Sequence, residues 1–373
     1  MEFGFTHEQS SMGDAIGRLL QDLMPFDAVR AGADRSQWDE RLGAALAETG
    51  VARLCAPQAV GGLALGAVDA VAVIIECGRH LAPWPVSETL LAHALIDEAQ
   101  AAYLKDADPG ADEDCAMAVS LGPGLSFAAG PAGRTVNGVL PVVPWAAGVR
   151  WLVAAVGQDV SLSVSPQAQE LVLVDLHHAS VRVDAVQGLD LTSPGASVSL
   201  QAYPLPDDAL LVRPAREARN RAALLAAAEA LGAAERCLQL TNEYLKERMQ
   251  FKRPIGTFQA LKHIMADDAV RVESMRVALL YAAWAIDAKS EDADMAVAVA
   301  KSYVSDAART VAENAVQLHG GIAYTWEFGL HLYLRRILRC AAQAGTAREH
   351  REMLAAALLD QPFGLHPAAA FQI

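Results

Sequence analysis

Residues 247–259, Glu247-Arg248-Met249-Gln250-Phe251-Lys252-Arg253-Pro254-Ile255-Gly256-Thr257-Phe258-Gln259, concentrate groups able to hold an anion. Arg248, Lys252 and Arg253 form a basic cluster in a chain whose formal net charge is -14. Gln250 adds a neutral donor, and so do the free amides at the start of the next helix. Helix starts favour anions through those amides and the macrodipole, so a diphosphate is a suitable guest. A solvated turn carrying ordinary surface arginines fits the same residues. A second stretch, 315–325, carries Gln317 and the pair Gly320-Gly321 after a helix. Paired glycines let another group approach the backbone closely, although a simple helix C-cap accounts for them as well. His177, His178, His263 and His319 show no metal-ligand spacing, and the chain has no nucleophile motif, P-loop or dinucleotide fingerprint.

The elements that must position these residues follow from patterning. Apolar residues at helical spacing predict helices over Ser36–Thr49, about Leu65–Leu81 and Leu90–Tyr103, punctuated by Gly50, Pro57, Gly61-Gly62 and Pro83-Trp84-Pro85. Short β-rich runs then take over: Val149–Val156, Val160–Val164, Leu171–Leu176, Val181–Val186 and Val198–Ala202. Asn137-Gly138 between Thr135-Val136 and Val139-Leu140 signals a hairpin turn. From Pro214 the pattern is helical again, with long helices over Glu217–Glu247, Gln259–Lys289 and Asp292–Leu318, then shorter ones over Glu327–Cys340 and Ala347–Leu359. Long antiparallel neighbours of this kind make a four-helix bundle. The expected fold is α+β: a helical domain over 1–115, a small β-sandwich or barrel over 116–210 and a helical bundle over 211–373.

Composition excludes several classes. With 53% hydrophobic and 20% charged residues the chain is a folded globular protein. Its acidity argues against nucleic acid and anionic membranes. Cys55, Cys77, Cys115, Cys237 and Cys340 form no CxxC pair, which suits reduced thiols and a cytoplasmic location. No signal peptide or membrane span is expected.

The two C-terminal stretches together closely resemble the acyl-CoA dehydrogenase flavoproteins. The order of helical, β and helical segments is similar to that family, as are Gly50 to Gly61-Gly62 and the run Glu76-Cys77-Gly78-Arg79-His80-Leu81-Ala82-Pro83-Trp84-Pro85. The resemblance implies FAD at a subunit interface, its diphosphate and adenosine end held by the neighbouring subunit. The residues offered to that neighbour match: Arg248 and Gln250 at the diphosphate, Phe251 packing beside it, Gln317, Gly320 and Gly321 at the adenosine half, and Gln259 and Thr346 among the cofactor contacts.

The positions that would serve the chain's own flavin depart from the family. Ser120-Leu121-Gly122-Pro123-Gly124 replaces a Thr-Glu-Pro loop, and Val142 and Pro144, with Trp145 adjacent, stand where the family has a Trp and a Thr. The family's carboxylate base falls at Ala344, before Gly345-Thr346. An alternative base position on the first bundle helix falls at Ala222 or Ala223. Alanine accepts no proton, and a missing general base costs roughly 10²–10⁴-fold or more in rate. Glu217, Glu229 and Glu349 lie nearby, expected on solvated helix faces. The resemblance therefore implies a non-catalytic partner in a heteromeric acyl-CoA dehydrogenase, similar to bacterial steroid- or bulky-acyl-CoA enzymes. Its other implied partners are an acyl-CoA, a homologous catalytic subunit in a heterotetramer and electron-transfer flavoprotein. The alternatives are a self-sufficient homo-oligomer with a displaced base, a monooxygenase or nitroalkane-oxidase-like relative, and a flavin-free scaffold.

Overall fold

The computed structural model describes residues 4–33, 40–107, 116–130, 133–157 and 169–359. Among the described residues six α-helices come first: α1 (His7–Leu23), α2 (Phe26–Ala33), α3 (Glu40–Glu48), α4 (Ala67–Arg79), α5 (Val86–Leu95) and α6 (Glu98–Ala107). The single helix expected over Leu90–Tyr103 is two. The chain turns extended at Ile96 and restarts at Asp97, whose carboxylate accepts from the amides of Ala99 and Gln100 while Gln100 Oε1 accepts from Asp97 N. This reciprocal capping is a local start signal that outweighs the apolar run. The first part of the helix expected from Ser36, with Trp38, lies outside the described residues, as do the strand expected at Val160–Val164 and Cys115.

The β-region is a sandwich of two sheets. One runs β1 (Met117–Ser120), β4 (Trp151–Val156), β5 (Glu170–Asp175) and β8 (Leu210–Leu211). The other runs β2 (Leu125–Gly130), β3 (Gly133–Pro144), β7 (Gly195–Pro204) and β6 (Val181–Val186). All six residues of β4 are buried. Successive side chains on a strand point to opposite faces. Trp151, Val153 and Ala155 join the helical core, whereas Leu152, Ala154 and Val156 join the core between the sheets. The first sheet is thus a middle layer, which is why WLVAAV reads as continuous apolar sequence.

Asn137-Gly138 is not a hairpin turn. It lies inside β3, at a register shift against β7. Gly138 has φ +137°, and a Cβ there would overlap the carbonyl oxygen of Gly124. Asn137 Oδ1 accepts from Ala202 N at 2.7 Å. The positive φ that recommends Asn-Gly for a tight turn serves equally well in a bulge.

The remaining helices are α7 (Ala215–Glu247), α8 (Gln259–Asp287), α9 (Ala293–His319), α10 (Leu330–Ala342) and α11 (Ala347–Leu359). Helices α7 to α10 pack as a bundle, with α7 also against α4 and α5. An alanine-rich central helix buried nearly all round suits that position. It crosses α4 at two glycines: a Cβ at Gly232 would overlap Ile75 O, and one at Gly78 would overlap Glu229 O. No described helix is long and apolar enough to cross a membrane. Cys55, Cys77, Cys237 and Cys340 are free thiols.

Candidate functional site

A cavity of about 640 Å³ lies where β-sandwich, bundle and α5 meet. The stretch Ser120 to Pro123, Val142 and Pro144 line its β side. Trp145 does not: it is buried in the sandwich core, so Val142 and Pro144 face the space. Neither side chain carries a hydrogen-bond donor, and Pro144 has no amide hydrogen. From the bundle, Arg219, Ala222, Leu225, Ala226 and Glu229 present one face of α7. Ala344 and Gly345 close the space from the turn after α10. The two places where a carboxylate base was expected, Ala344 and Ala222, thus open onto one cavity. Ala223 points into the core instead.

The floor is charged and buried. Arg336 donates from Nε to Asp190, from Nη1 to Glu229, and from Nη2 to Thr192 Oγ1 at 2.6 Å and Thr192 O at 3.2 Å. Arg339 Nη2 reaches Glu229 at 2.8 Å and its Nη1 reaches Glu88 at 3.3 Å; Gln343 Nε2 also donates to Glu88 at 3.3 Å. Arg339 Nε lies 3.3 Å from Asp190, at an angle that leaves it without a hydrogen bond. The cluster joins α5, α7 and α10 to the loop before β7. Three carboxylates face two guanidiniums. Burial pushes each carboxyl upward; Arg336 and Arg339 outweigh it at Asp190 and Glu229, whose pKa values fall below the usual range. At Glu88 burial outweighs Arg339, and the pKa is raised. Two guanidiniums among three carboxyls thus favour the charged form at Asp190 and Glu229 more than at Glu88.

Two buried cations or bases fix the Ala344 turn. Lys301 Nζ donates to Cys340 O at 2.6 Å, Ala341 O at 3.2 Å and Ser305 Oγ at 3.3 Å, closing the end of α10. Burial pulls the Lys301 pKa down to about 8. His350 Nε2 donates to Ala344 O at 2.9 Å, and Ala344 takes φ +53°. The expectation of solvated carboxylates is corrected here. Glu229 is buried and ion-paired, Glu217 is half-buried beside Arg221, and Glu349 lines the cavity. Glu349 is also occupied: it accepts from Thr346 N at 2.7 Å and Thr346 Oγ1 at 2.8 Å, so both residues serve the start of α11.

The anion-holding stretch is elsewhere and faces outward. Between α7 and α8 the chain forms a tight hairpin, β9 (Met249–Gln250) against β10 (Arg253–Pro254). Its turn residues Phe251 and Lys252 both have positive φ, 49° and 64°, as this turn type demands and as such side chains resist. Phe251 is 85% exposed and meets Phe258 edge to face, and Arg253 stacks on the Phe258 ring. Arg248, Gln250 and Gln259 are exposed, and Arg248 and Lys252 form no ion pair among the described residues. Gln317, Gly320 and Gly321 are exposed too, with open space where a Cβ would stand on either glycine. The two stretches share one end of the bundle: the Tyr244 ring stacks on His319 at 4.4 Å, and His319 meets Phe328 at 4.7 Å. Unpaired guanidinium, amide donors and open backbone fit a diphosphate-bearing cofactor approaching from outside. His177 and His263 are exposed, and no group of metal-ligating residues occurs among the described residues.

The profile described as "Acyl-CoA dehydrogenase, C-terminal domain" matches residues 213–359. Acyl-CoA dehydrogenase IpdE2 of Mycobacterium tuberculosis is 34% identical, covering 95% of this chain and 98% of the relative. The chain belongs to the acyl-CoA dehydrogenase family. The IpdE2 of Mycolicibacterium smegmatis is 32% identical over 94% of this chain and 99% of its own. Among solved structures, the Tcur3481-Tcur3483 steroid ACAD superposes with a TM-score of 0.84 at 28% identity, covering 95% and 98% of the two chains. A chain of the Mycobacterium tuberculosis ChsE4-ChsE5 complex has the same TM-score at 24% identity, covering 97% and 100%, and shares the fold. Acyl-CoA dehydrogenases are FAD-dependent oxidoreductases, and the cavity lies where this fold joins its β-region to its bundle. Glu88, Asp190, Arg219 and Arg339 of this dehydrogenase-family site carried no local signal, because their partners are far away in sequence.

Proposed function

We propose that this chain is the non-catalytic partner in a heteromeric, FAD-dependent acyl-CoA dehydrogenase. The carrying observation is that both base positions, Ala344 and Ala222, line the cavity as alanines while Arg248, Gln250 and Phe251 face outward. When bound, FAD would supply a hydride acceptor, and dehydrogenation of an acyl thioester would also need a base for the α-proton. Neither base position of this chain can take that proton. Its segment 116–210 presents Val142 and Pro144 in place of flavin hydrogen-bond partners. Its segment 211–373 holds the groups suited to a sister's cofactor: Arg248 and Gln250 for the diphosphate, Gln317, Gly320 and Gly321 for the adenosine half, Gln259 and Phe251 beside them. Thr346 is withdrawn from that set, since its hydroxyl caps α11. The name of the 28%-identical steroid ACAD carries two chain designations, which supports a paired assembly and a bulky acyl group. In the whole enzyme, electrons pass onward to electron-transfer flavoprotein.

The test is to purify the tagged chain alone and from its native host, reading flavin absorbance against protein and native mass. We expect the isolated chain to hold little FAD and the native material to contain a second, homologous chain with one FAD per unlike pair. Arg248→Ala should strip FAD from that complex. A homotetramer with a full FAD in every subunit refutes the assignment.

One observation favours a second reading, a self-sufficient enzyme with a displaced base. Glu88 is a buried cavity carboxylate with a raised pKa, as a general base requires. On that reading Glu88→Gln abolishes turnover of the chain purified alone.

A further inference from the structure

Every carboxylate on the cavity wall has a protein partner: Glu88, Asp190 and Glu229 are bound to Arg336 and Arg339, and Glu349 caps α11. One charged group on the wall has no opposite charge among the described residues. Arg219, half-buried on the cavity face of α7, donates through Nη2 to the neutral amide oxygen of Gln169 and forms no ion pair among the described residues. Burial lowers its pKa. A guanidinium cannot shed its proton near neutrality, so partial burial without a counter-ion is a standing cost. Ser193 and Arg339 also line the space, and each has one buried polar atom without a hydrogen-bond partner, Ser193 Oγ and Arg339 Nε.

Much of the rest of the wall is apolar, with Leu91, Val119, Leu121, Val142, Leu225 and Leu338, and Ser87, Ser120 and Gln343 are its polar members. The α7 face from Arg219 to Glu229 spans roughly 15 Å at 1.5 Å per residue. A cation with no ion pair among the described residues therefore stands at one end of a long, largely apolar wall, and an ion-paired cluster at the other. A volume of about 640 Å³ lies within the range of small-molecule sites.

We propose that this cavity is itself a ligand site, taking a largely apolar molecule that carries one anionic head group, with Arg219 receiving the head. A carboxylate and a phosphate monoester share the required chemistry, two coplanar acceptors for the guanidinium fork. The inference rests on the cavity and not on the missing base. It needs neither flavin nor turnover, so it stands or falls separately from the subunit assignment.

Titration calorimetry on the full-length chain tests it with three probes on one ring system: 1-naphthaleneacetate, 1-naphthyl phosphate and the uncharged 1-naphthaleneacetamide. At least one anion should bind about tenfold tighter than the amide or better, and which one does names the head group. Arg219→Gln should erase that preference while leaving the amide's affinity within about twofold, and Arg219→Lys should restore part of it. Leu225→Trp, which fills the cavity, should abolish binding of all three, with circular dichroism confirming that each variant is folded. The proposal is overturned if anions and amide bind wild type alike, if nothing binds, if the preference survives Arg219→Gln, or if binding survives Leu225→Trp.

Discussion

Replacing Arg336 by Met keeps most of the side-chain volume and removes a guanidinium that is 1% exposed. The variant loses the contacts to Asp190, Glu229 and both Thr192 oxygens. Three buried carboxylates are then left facing Arg339 alone. Removing one partner of a buried pair costs about 3–5 kcal/mol, because the abandoned charge has no water to return to. With an m-value near 3 kcal/mol/M, the urea midpoint should fall by about 1–2 M. Tryptophan fluorescence and far-ultraviolet circular dichroism should both report it, since the cluster ties helices to the β-region. The triple variant Arg336→Met, Asp190→Asn, Glu229→Gln leaves one carboxylate, Glu88, against one guanidinium, Arg339. It should recover at least half of the lost midpoint. A single variant within about 0.5 kcal/mol of wild type, or a triple variant less stable than the single, refutes this account of the floor.

Two further outcomes follow from the same geometry. Gly232→Ala forces a methyl group into Ile75 O, so α4 and α7 must part; a loss of about 1–3 kcal/mol in urea unfolding is expected, against a near-neutral Gly188→Ala, where a Cβ meets nothing within 4 Å. His350 is held neutral by burial, with its folded pKa below 6.5 despite the bond to Ala344 O. The unfolded chain takes up that proton first, so stability is full above about pH 6.5 and is lost as pH falls through the folded value. Urea midpoints between about pH 7.5 and 5.5 should fall less steeply in His350→Gln than in wild type. The raised pKa of Glu88 acts with the opposite sign: its contribution is present below 4.5 and lost as pH rises through its folded value. Comparison with the variant isolates the imidazole.

The order of helical, β and helical segments was legible because each carries its own period. The ends of α7 and α11 fell at Glu247 and Leu359, as expected from the pattern. Local chemistry misled in two places. Asn137-Gly138 signals positive φ without saying whether a turn or a bulge will use it, and Asp97 caps a new helix inside an apolar stretch. The cavity's alanines could be placed because Ala344 and Ala222 sit at countable distances from Gly320 and Arg248. Its ion cluster could not. Glu229 looks like a surface residue until Arg336 and Arg339 come to it, 107 and 110 residues along the chain, and Glu88 waits for Arg339 251 residues away. Burial of a charge is decided by partners that only the tertiary fold supplies. Arg219 is legible in neither way, since what distinguishes it is that no carboxylate among the described residues pairs with it.

The crossing of α4 and α7 at Gly78 and Gly232 brings main chain against main chain. Spacing there is set by carbonyl oxygens, atoms that every residue possesses in the same place. Exchanges of side chains a turn or two away leave that spacing untouched. The residues of α7 that look into the cavity can therefore be rewritten singly, a carboxylate to alanine or an alanine to arginine, without shifting the scaffold that presents them. A backbone joint of this kind separates the inheritance of shape from the inheritance of chemistry.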